Sequence, residues 1–173
     1  MTTSNENRQL VDRFAEVASQ FCSVVDSAPD LDRNDFVSKV YRILPKLIDE
    51  AIGLPDIESG GSRRPRRKSV RESVKNGNRL YKSLEEKLAE WDLYKQVFDP
   101  TRDTTEAILG SLADDIAGIY LDLKKGLALM EAHPRRPQEP IWEWRFGFFS
   151  HWGKHHAIDA LLAIHFQLQN SAD

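Results

Sequence analysis

Hydrophobic residues recur in the first third of the chain at the spacing of a helical face. Residues 5–27 and residues 33–52 each place most of their large apolar side chains on one side of a helix. Gly53 and Pro55 end the second segment, because glycine favours a helix terminus and proline cannot continue a helix. Pro45, inside that segment, removes a backbone donor and predicts a kink. The pattern therefore predicts two amphipathic helices.

Residues 55–78 carry no periodic apolar positions and hold a run of basic side chains. We interpret this segment as a flexible basic insertion between helices, because a polar stretch without a hydrophobic face has nothing to pack on a core. The alternative is a site for phosphate or for an acidic partner. No aromatic residue lies among the cations, so the run at 63–71 does not favour stacking on nucleic-acid bases. The six cations are Arg63, Arg64, Arg66, Arg67, Lys68 and Arg71.

Helical spacing resumes over residues 80–98, and a longer helix is predicted over about residues 103–132. Asp115 and Asp122 are seven residues apart in the longer helix, so their side chains lie along one edge of it. Asp114 lies off that edge and is expected to face solvent.

Residues 141–168 are rich in aromatic side chains and have helical spacing for almost thirty residues. Both sides of this helix are largely apolar, which predicts that other helices enclose it. Gly147 and Gly153 are expected to allow close packing or a bend. Charged residues interrupt every long apolar run, so the segment is too polar to cross a membrane.

The pattern contains no strand-like alternation and no internal repeat. It predicts an all-α fold over residues 1–173: a single-domain bundle of about five helices with a long, central, aromatic C-terminal helix. A short connection after His133 makes the last two helices antiparallel neighbours.

The net charge and the cysteine content exclude several kinds of function and of binding site. A net charge of -3 argues against a protein devoted to nucleic acid. The lone cysteine, Cys22, excludes an internal disulfide and a cysteine-based metal motif. The polar first residues do not form a secretory leader or an anchor, so a cytoplasmic location without membrane contact is expected.

The segment from Asp114 to His165 reads DDIAGIYLDLKKGLALME, a short loop, and then WEWRFGFFSHWGKHHAIDALLAIH. It resembles an uncharacterised family of bacterial helical domains that carry a similar D-I-Y-x-D-L-K-x-G-L block followed by H-W-G-x-H-x-x-D-A-L. The family is labelled as a domain of unknown function. The resemblance therefore implies an all-helical fold and no particular activity.

Candidate chemistry is confined to the last two predicted helices. His151, His155 and Asp159 are spaced by four residues, so they line one ridge of the last helix. The edge of the preceding helix that carries Asp115 and Asp122 can face this ridge. Trp144 and Trp152 share this stripe, whereas His156 and His165 lie off it and are expected to be partly exposed or ordinary packing residues. The candidate ligand or partner pocket comprises Asp115, Asp122, Trp144, His151, Trp152, His155 and Asp159.

Three interpretations of this ridge remain open. The histidines and aspartates can form a structural network that holds two helices in register. They can also line a pocket for a small ligand or a partner. Finally, Asp115, Asp122, His151 and His155 are the residue types that bind a divalent transition metal inside a helical bundle. Trp152 follows His151 where a zinc metalloprotease motif has glutamate, so that motif is absent.

The leading functional hypothesis is a non-catalytic cytoplasmic interaction or regulatory domain, which binds an unknown protein partner or a second copy of itself. The sequence holds no Ser/His/Asp order, phosphate-binding glycine loop or Cys-x-x-Cys motif that would favour an enzyme or imply a cofactor. The alternative is a metal-dependent helical-bundle enzyme that uses the His/Asp ridge.

Overall fold

The helices of this protein pack around a core that contains Trp144 and Trp152. A computed structural model describes residues 4–57, 67–97, 99, 101–102, 106–133 and 138–170. The prediction of an all-α fold is confirmed, apart from one small antiparallel sheet. The elements are α1 (Ser4–Asp26), α2 (Arg33–Ile52), α3 (Arg67–Leu88), β1 (Leu93–Gln96), β2 (Ile108–Ser111), α4 (Leu112–Ala132), α5 (Gln138–Ser150), a π turn (Gly153–Ala157) and α6 (Ile158–Asn170), with 3-10 turns at Ala28–Asp30 and Ala89–Trp91.

The first two helices follow directly from the sequence. Both carry the predicted apolar face into the core, and α2 has the predicted bounds. Asp32 caps α2, because its carboxylate accepts a hydrogen bond from the backbone N–H of Asp35 at 2.9 Å. Phe14 of α1 is fully buried, and its ring lies 4.9 Å from the ring of Trp144. Hydrophobic burial on one face of each helix therefore organises this half of the molecule.

The antiparallel pairing of β1 with β2 corrects the sequence prediction, which extended helices through both segments. Asp92, buried just before β1, explains where α4 begins. Its backbone oxygen accepts from the N–H of Leu112, and its carboxylate accepts from the N–H of Ala113 and the hydroxyl of Ser111, at 2.8, 2.8 and 2.9 Å. These bonds hold the sheet against the first turn of α4. Strands of four residues are too short to show an alternating pattern of their own.

Helix α3 begins at Arg67, inside the segment that was interpreted as an insertion. Residues 67–78 are therefore helical, whereas the insertion was predicted over residues 55–78. Residues 58–66, which hold three of the six cations, lie outside the described residues. Arginine, lysine and glutamate have good helix propensity, so a helix can extend beyond its apolar face without a periodic signal.

The aromatic C-terminal segment is helical with one interruption. The π turn from Gly153 to Ala157 separates α5 from α6, at one of the two glycines where a bend was expected. The prediction that this segment is enclosed on all sides is wrong, because one face stays open to solvent. Five of its large apolar side chains are 52–59% exposed: Phe146, Phe149, Ile158, Leu162 and Phe166. Among the described helices, none is long and apolar enough to span a bilayer.

Candidate functional site

Two hydrogen-bonded His/Asp pairs join α4 to the segment around the π turn. We call Tyr94, Asp115, Asp122, His151 and His156 the His–Asp network. His151 Nδ1 lies 2.8 Å from Asp122 Oδ2, and His156 Nδ1 lies 2.9 Å from Asp115 Oδ1. The Tyr94 hydroxyl donates to Asp115 Oδ2 at 2.6 Å. The two imidazole rings meet edge to face, with centroids 4.8 Å apart. The network therefore connects β1, α4 and the π turn.

The structure corrects which histidine faces Asp115. The sequence analysis placed His155 on the ridge four residues after His151, as a regular α-helix requires. The π turn contains an extra residue per turn, so the residue in line with His151 is five positions away instead of four. His156 therefore pairs with Asp115, although it was expected to be an ordinary packing residue. A Cβ on Gly118 would lie only 2.9 Å from the His156 ring, so this close approach depends on glycine.

The two His/Asp pairs differ in burial. The His156 and Asp115 side chains are 12% and 5% exposed, whereas those of His151 and Asp122 are 56% and 33% exposed. Solvent therefore screens the outer pair, and the inner pair interacts more strongly.

Burial raises the pKa of Asp115 to about 6, even though the hydrogen bonds from His156 and Tyr94 act in the opposite direction. Burial alone would lower the pKa of His156, but the hydrogen bond and charge of Asp115 outweigh it and raise that pKa above its ordinary value. The pKa of His155 is lowered, first by burial and then by the charge of Lys154. Adjacent histidines thus have pKa values shifted in opposite directions because only one of them bonds to Asp115.

A small pocket of about 410 Å³ lies beside the inner pair, and His155, His156 and Asp115 are among its lining residues. Ser111 also lines it, but its hydroxyl donates to Asp92 and accepts from the backbone N–H of Asp114, which caps α4. Ser111 is therefore engaged in capping. The imidazole of His156 has its Nδ1 fixed by Asp115, so the two groups can share a proton.

The four residues proposed as metal ligands do not converge. Asp122 pairs with His151, Asp115 pairs with His156, and His155 belongs to neither pair. Within the described ranges, no group of three or more His, Cys, Asp or Glu side chains is placed to hold a metal ion.

Trp144 and Trp152 are fully buried core residues. The indole N–H of Trp152 donates to the backbone oxygen of Trp144, and that of Trp144 donates to the backbone oxygen of Leu123, each at 3.3 Å. Both tryptophans therefore belong to the core and do not line the small pocket beside the inner pair.

An apolar groove of about 1170 Å³ lies on the other side of the π turn. We define it by α2, the strand β1 and the open face of α5 and α6. Asp159, predicted to belong to the histidine ridge, lies in this groove, and burial raises the pKa of its half-buried carboxyl. Its main lining residues are Ile48, Ile52, Tyr94, Lys95, Gln96, Val97, Phe148, Phe149, Ile158, Asp159, Leu162, Ala163 and Phe166.

Neither Tyr94 nor the groove was predicted from the sequence. Tyr94 belongs to the groove and to the His–Asp network, a position that depends on the unpredicted sheet. The sequence does indicate one wall of the groove, because Ile158, Leu162 and Phe166 are spaced by four residues. That spacing indicates an apolar face but does not say whether another element of the same chain covers it.

Comparison with known proteins is consistent with this architecture. The family model described as "Domain of unknown function (DUF5063)" matches residues 5–170. The fold is similar to the crystal structure of protein BF1032 from Bacteroides fragilis, a structural genomics target, with a TM-score of 0.72, 24% identity and 90% of each chain covered. No curated protein matches the chain. The match over nearly the whole length shows that this chain belongs to the DUF5063 family.

Proposed function

We propose that this protein is a non-catalytic interaction module of the cytoplasm, and that it binds a segment of a partner protein in the apolar groove. The observation that carries the proposal is the open face of the C-terminal helices. Single exposed apolar residues are normal on a protein surface, whereas a contiguous apolar patch in a concavity is typical of a binding site.

The groove offers a substantial hydrophobic contribution to binding. Phe149, Ile158, Leu162 and Phe166 are each more than half exposed and line the same cavity. Full burial of such a side chain contributes about 1.5–3 kcal/mol. Covering the exposed half of four side chains therefore contributes about 3–6 kcal/mol before the entropic cost of association. Association itself costs about 4–15 kcal/mol, so these four side chains supply part of the binding free energy and a bound segment needs further contacts in the groove.

The His–Asp network supports a structural role beside this groove. Both carboxylates already have imidazole partners, and the inner pair joins α4 to the π turn from which α6 begins. A metal-dependent enzyme would need Asp115, Asp122, His151 and His155 to meet at one point. The observed pairing instead holds the wall of the groove in place.

Site-specific photo-crosslinking in the native host tests the proposal. A photoreactive phenylalanine analogue at Leu162, inside the groove, should give one discrete adduct heavier than the chain. The adduct should disappear when Phe166→Asp is added, because a charge on the groove wall disfavours apolar binding. The control analogue at Ser83, an exposed position on α3, should give no such adduct.

The partner is identified from the adduct by mass spectrometry. An adduct of twice the chain mass would identify the partner as a second copy of this protein. Absence of any adduct at Leu162, or an adduct equally strong with Phe166→Asp, would contradict the proposal. Thermal melting of each variant ensures that a lost adduct reflects the groove and not unfolding.

A further inference from the structure

The inner pair of His156 and Asp115 belongs to a cluster of titratable groups in which carboxylates predominate. The groups that act on the charges of this pair and of His155 come from β1, α4, α5, the π turn and α6: Tyr94, Asp114, Asp115, Asp122, His151, Lys154, His155, His156 and Asp159. Lys154 is the one member of this set with a permanent positive charge, and it also acts on the carboxyl of Asp99. With its histidines neutral, the set therefore places four carboxylates against one lysine.

Two further elements adjoin the pair. From α3, Tyr81 lines the small pocket and donates its hydroxyl to Glu85 at 3.2 Å. Helix α2 also packs against the π turn, but its described residues supply none of the largest charge effects on the pair. The positive charge that can balance the buried carboxylate of Asp115 most directly is therefore the imidazolium of His156.

Both oxygens of the Asp115 carboxylate hold neighbouring elements. Oδ1 contacts Nδ1 of His156 on the π turn, and Oδ2 accepts from the hydroxyl of Tyr94 on β1. An imidazolium carries a proton on each nitrogen, and the carboxylate retains the one on Nδ1, so His156 loses its proton from Nε2. The hydrogen bond then remains but the positive charge is gone. A buried charge without a counter-charge is costly, so the contact weakens.

This contact holds two parts of the groove wall. Tyr94 from β1, and Gly153 and Lys154 from the π turn, line the groove. The backbone N–H of Ile158 donates to the oxygen of Gly153, five residues back instead of the four of an α-helix. Such irregular turns are frequent at functional sites. The wall is thus attached to α4 by one buried, titratable contact at the point where the C-terminal helix is least regular.

We propose that the π turn is a pH-responsive hinge, which opens locally when the inner pair loses its proton and so loosens the wall of the groove. This inference goes beyond the proposed function and needs no partner, because the free protein should show the opening. Protonation of histidine clusters is a known means of switching packed interfaces.

The direction follows from the raised pKa of both groups. The stabilising contribution of His156 is complete below pH 6.5 and is lost as the pH rises through its higher pKa in the folded protein. That of Asp115 is lost as the pH rises from 3.8 through about 6. The hinge is therefore closed in acid and opens as the pH rises.

Hydrogen exchange of the free protein, corrected for the intrinsic effect of pH on amide exchange, provides the test. The amide of Ile158 reports opening of the π turn, and that of Val40, in the buried part of α2, reports global unfolding. Ile158 should be less protected than Val40, and its protection should fall by about threefold or more between about pH 5.5 and about pH 8.5. The midpoint of the fall should coincide with the titration of His156 followed by NMR.

His156→Gln and His155→Gln form a matched pair of variants. Glutamine at position 156 offers an amide donor to Asp115 but does not titrate, so the fall in Ile158 protection should vanish. His155→Gln changes the adjacent residue of the same turn and should retain the wild-type fall, because the hydrogen bond to Asp115 comes from His156.

Equal protection of Ile158 and Val40 at both pH values would show that the turn opens only in global unfolding, and would overturn the hinge. A wild-type fall that is absent, that persists in His156→Gln, or that disappears in both variants would overturn it as well. If His156→Gln does not fold, the midpoint decides: coincidence with the titration of His151 or His155, and not of His156, contradicts the proposal.

Discussion

Replacing Asp115 with alanine should destabilise the protein more than any other removal of a carboxylate from α4. The Asp115 side chain is only 5% exposed and accepts hydrogen bonds from His156 and Tyr94. Both donors remain buried when the carboxylate is removed. The outcome depends on which of them finds another acceptor.

The magnitude follows from these partners. The Tyr94 hydroxyl can still donate to Gln96 Oε1 at 3.1 Å, so it keeps an acceptor. His156 Nδ1 loses the carboxylate that it contacts, and a buried unsatisfied group costs about 1–3 kcal/mol. Loss of the tyrosine hydrogen bond to a charged acceptor adds about 1 kcal/mol, while the carboxylate no longer has to be desolvated. The expected loss of unfolding free energy is about 2–3 kcal/mol.

Two carboxylates on the same helix serve as controls. Asp122→Ala breaks the outer pair, whose side chains are 33% and 56% exposed, so solvent limits the loss to about 1 kcal/mol or less. Asp114→Ala removes an exposed acidic residue from the first turn of α4 and should cost about 0.5 kcal/mol. All three substitutions change charge and helix propensity in the same way. Asp114 and Asp115 also share the first turn of α4, so the difference between these two variants reports burial and hydrogen bonding.

Chemical denaturation followed by tryptophan fluorescence measures the three losses, because Trp144 and Trp152 become exposed on unfolding. A double-mutant cycle between Asp115 and His156 isolates their interaction, which should be at least 1 kcal/mol. Equal losses for all three alanine variants, or a larger loss for Asp122 than for Asp115, would refute the burial argument.

Three further predictions concern packing and titration. Gly126→Ala should lower the free energy of unfolding by about 1–3 kcal/mol, because the added Cβ would lie 1.9 Å from the indole of Trp144. Gly77→Ala should raise it by up to about 1 kcal/mol, because its Cβ meets only the flexible end of the Leu121 side chain at 3.0 Å. Chemical denaturation measures both changes. Burial raises the pKa of the Cys22 thiol to about 12, so aromatic disulfide reagents at pH 8 should label it only after denaturation. Asp115→Asn should lower the pKa of His156 in an NMR titration, because the carboxylate that outweighs burial is lost and only the charges of Asp114 and Asp122 still oppose burial. In the wild type, the raised pKa values of Asp115 and His156 both add to the stability of the protein at low pH. The contribution of Asp115 is lost as the pH rises from 3.8 through about 6. The contribution of His156 is lost as the pH rises from 6.5 through its higher pKa in the folded protein.

For each of these three predictions, one experimental result would contradict it. Equal stability effects at Gly126 and Gly77 would contradict the close packing against the indole. Rapid labelling of Cys22 in the folded protein would show that the thiol is accessible. A His156 pKa unchanged by Asp115→Asn would mean that the carboxylate does not determine it.

The sequence by itself determined the helical class and the two N-terminal helices. Apolar positions at helical spacing define α1 and α2, because a face that must be buried leaves a periodic signal. Asp122 and His151 were both placed on facing edges, and they are bonded in the structure. These are features that depend on local spacing along one helix.

Tertiary structure decided the rest of the site. The π turn shifts the register by one residue and selects His156 over His155, and no local pattern marks that shift. Strands β1 and β2 form because each pairs with the other and Asp92 ties them to α4, so their stability is not encoded in either four-residue segment alone. The open face of α6 shows the same limit: helical spacing reports that side chains are apolar, but only the arrangement of the other helices decides whether they are covered.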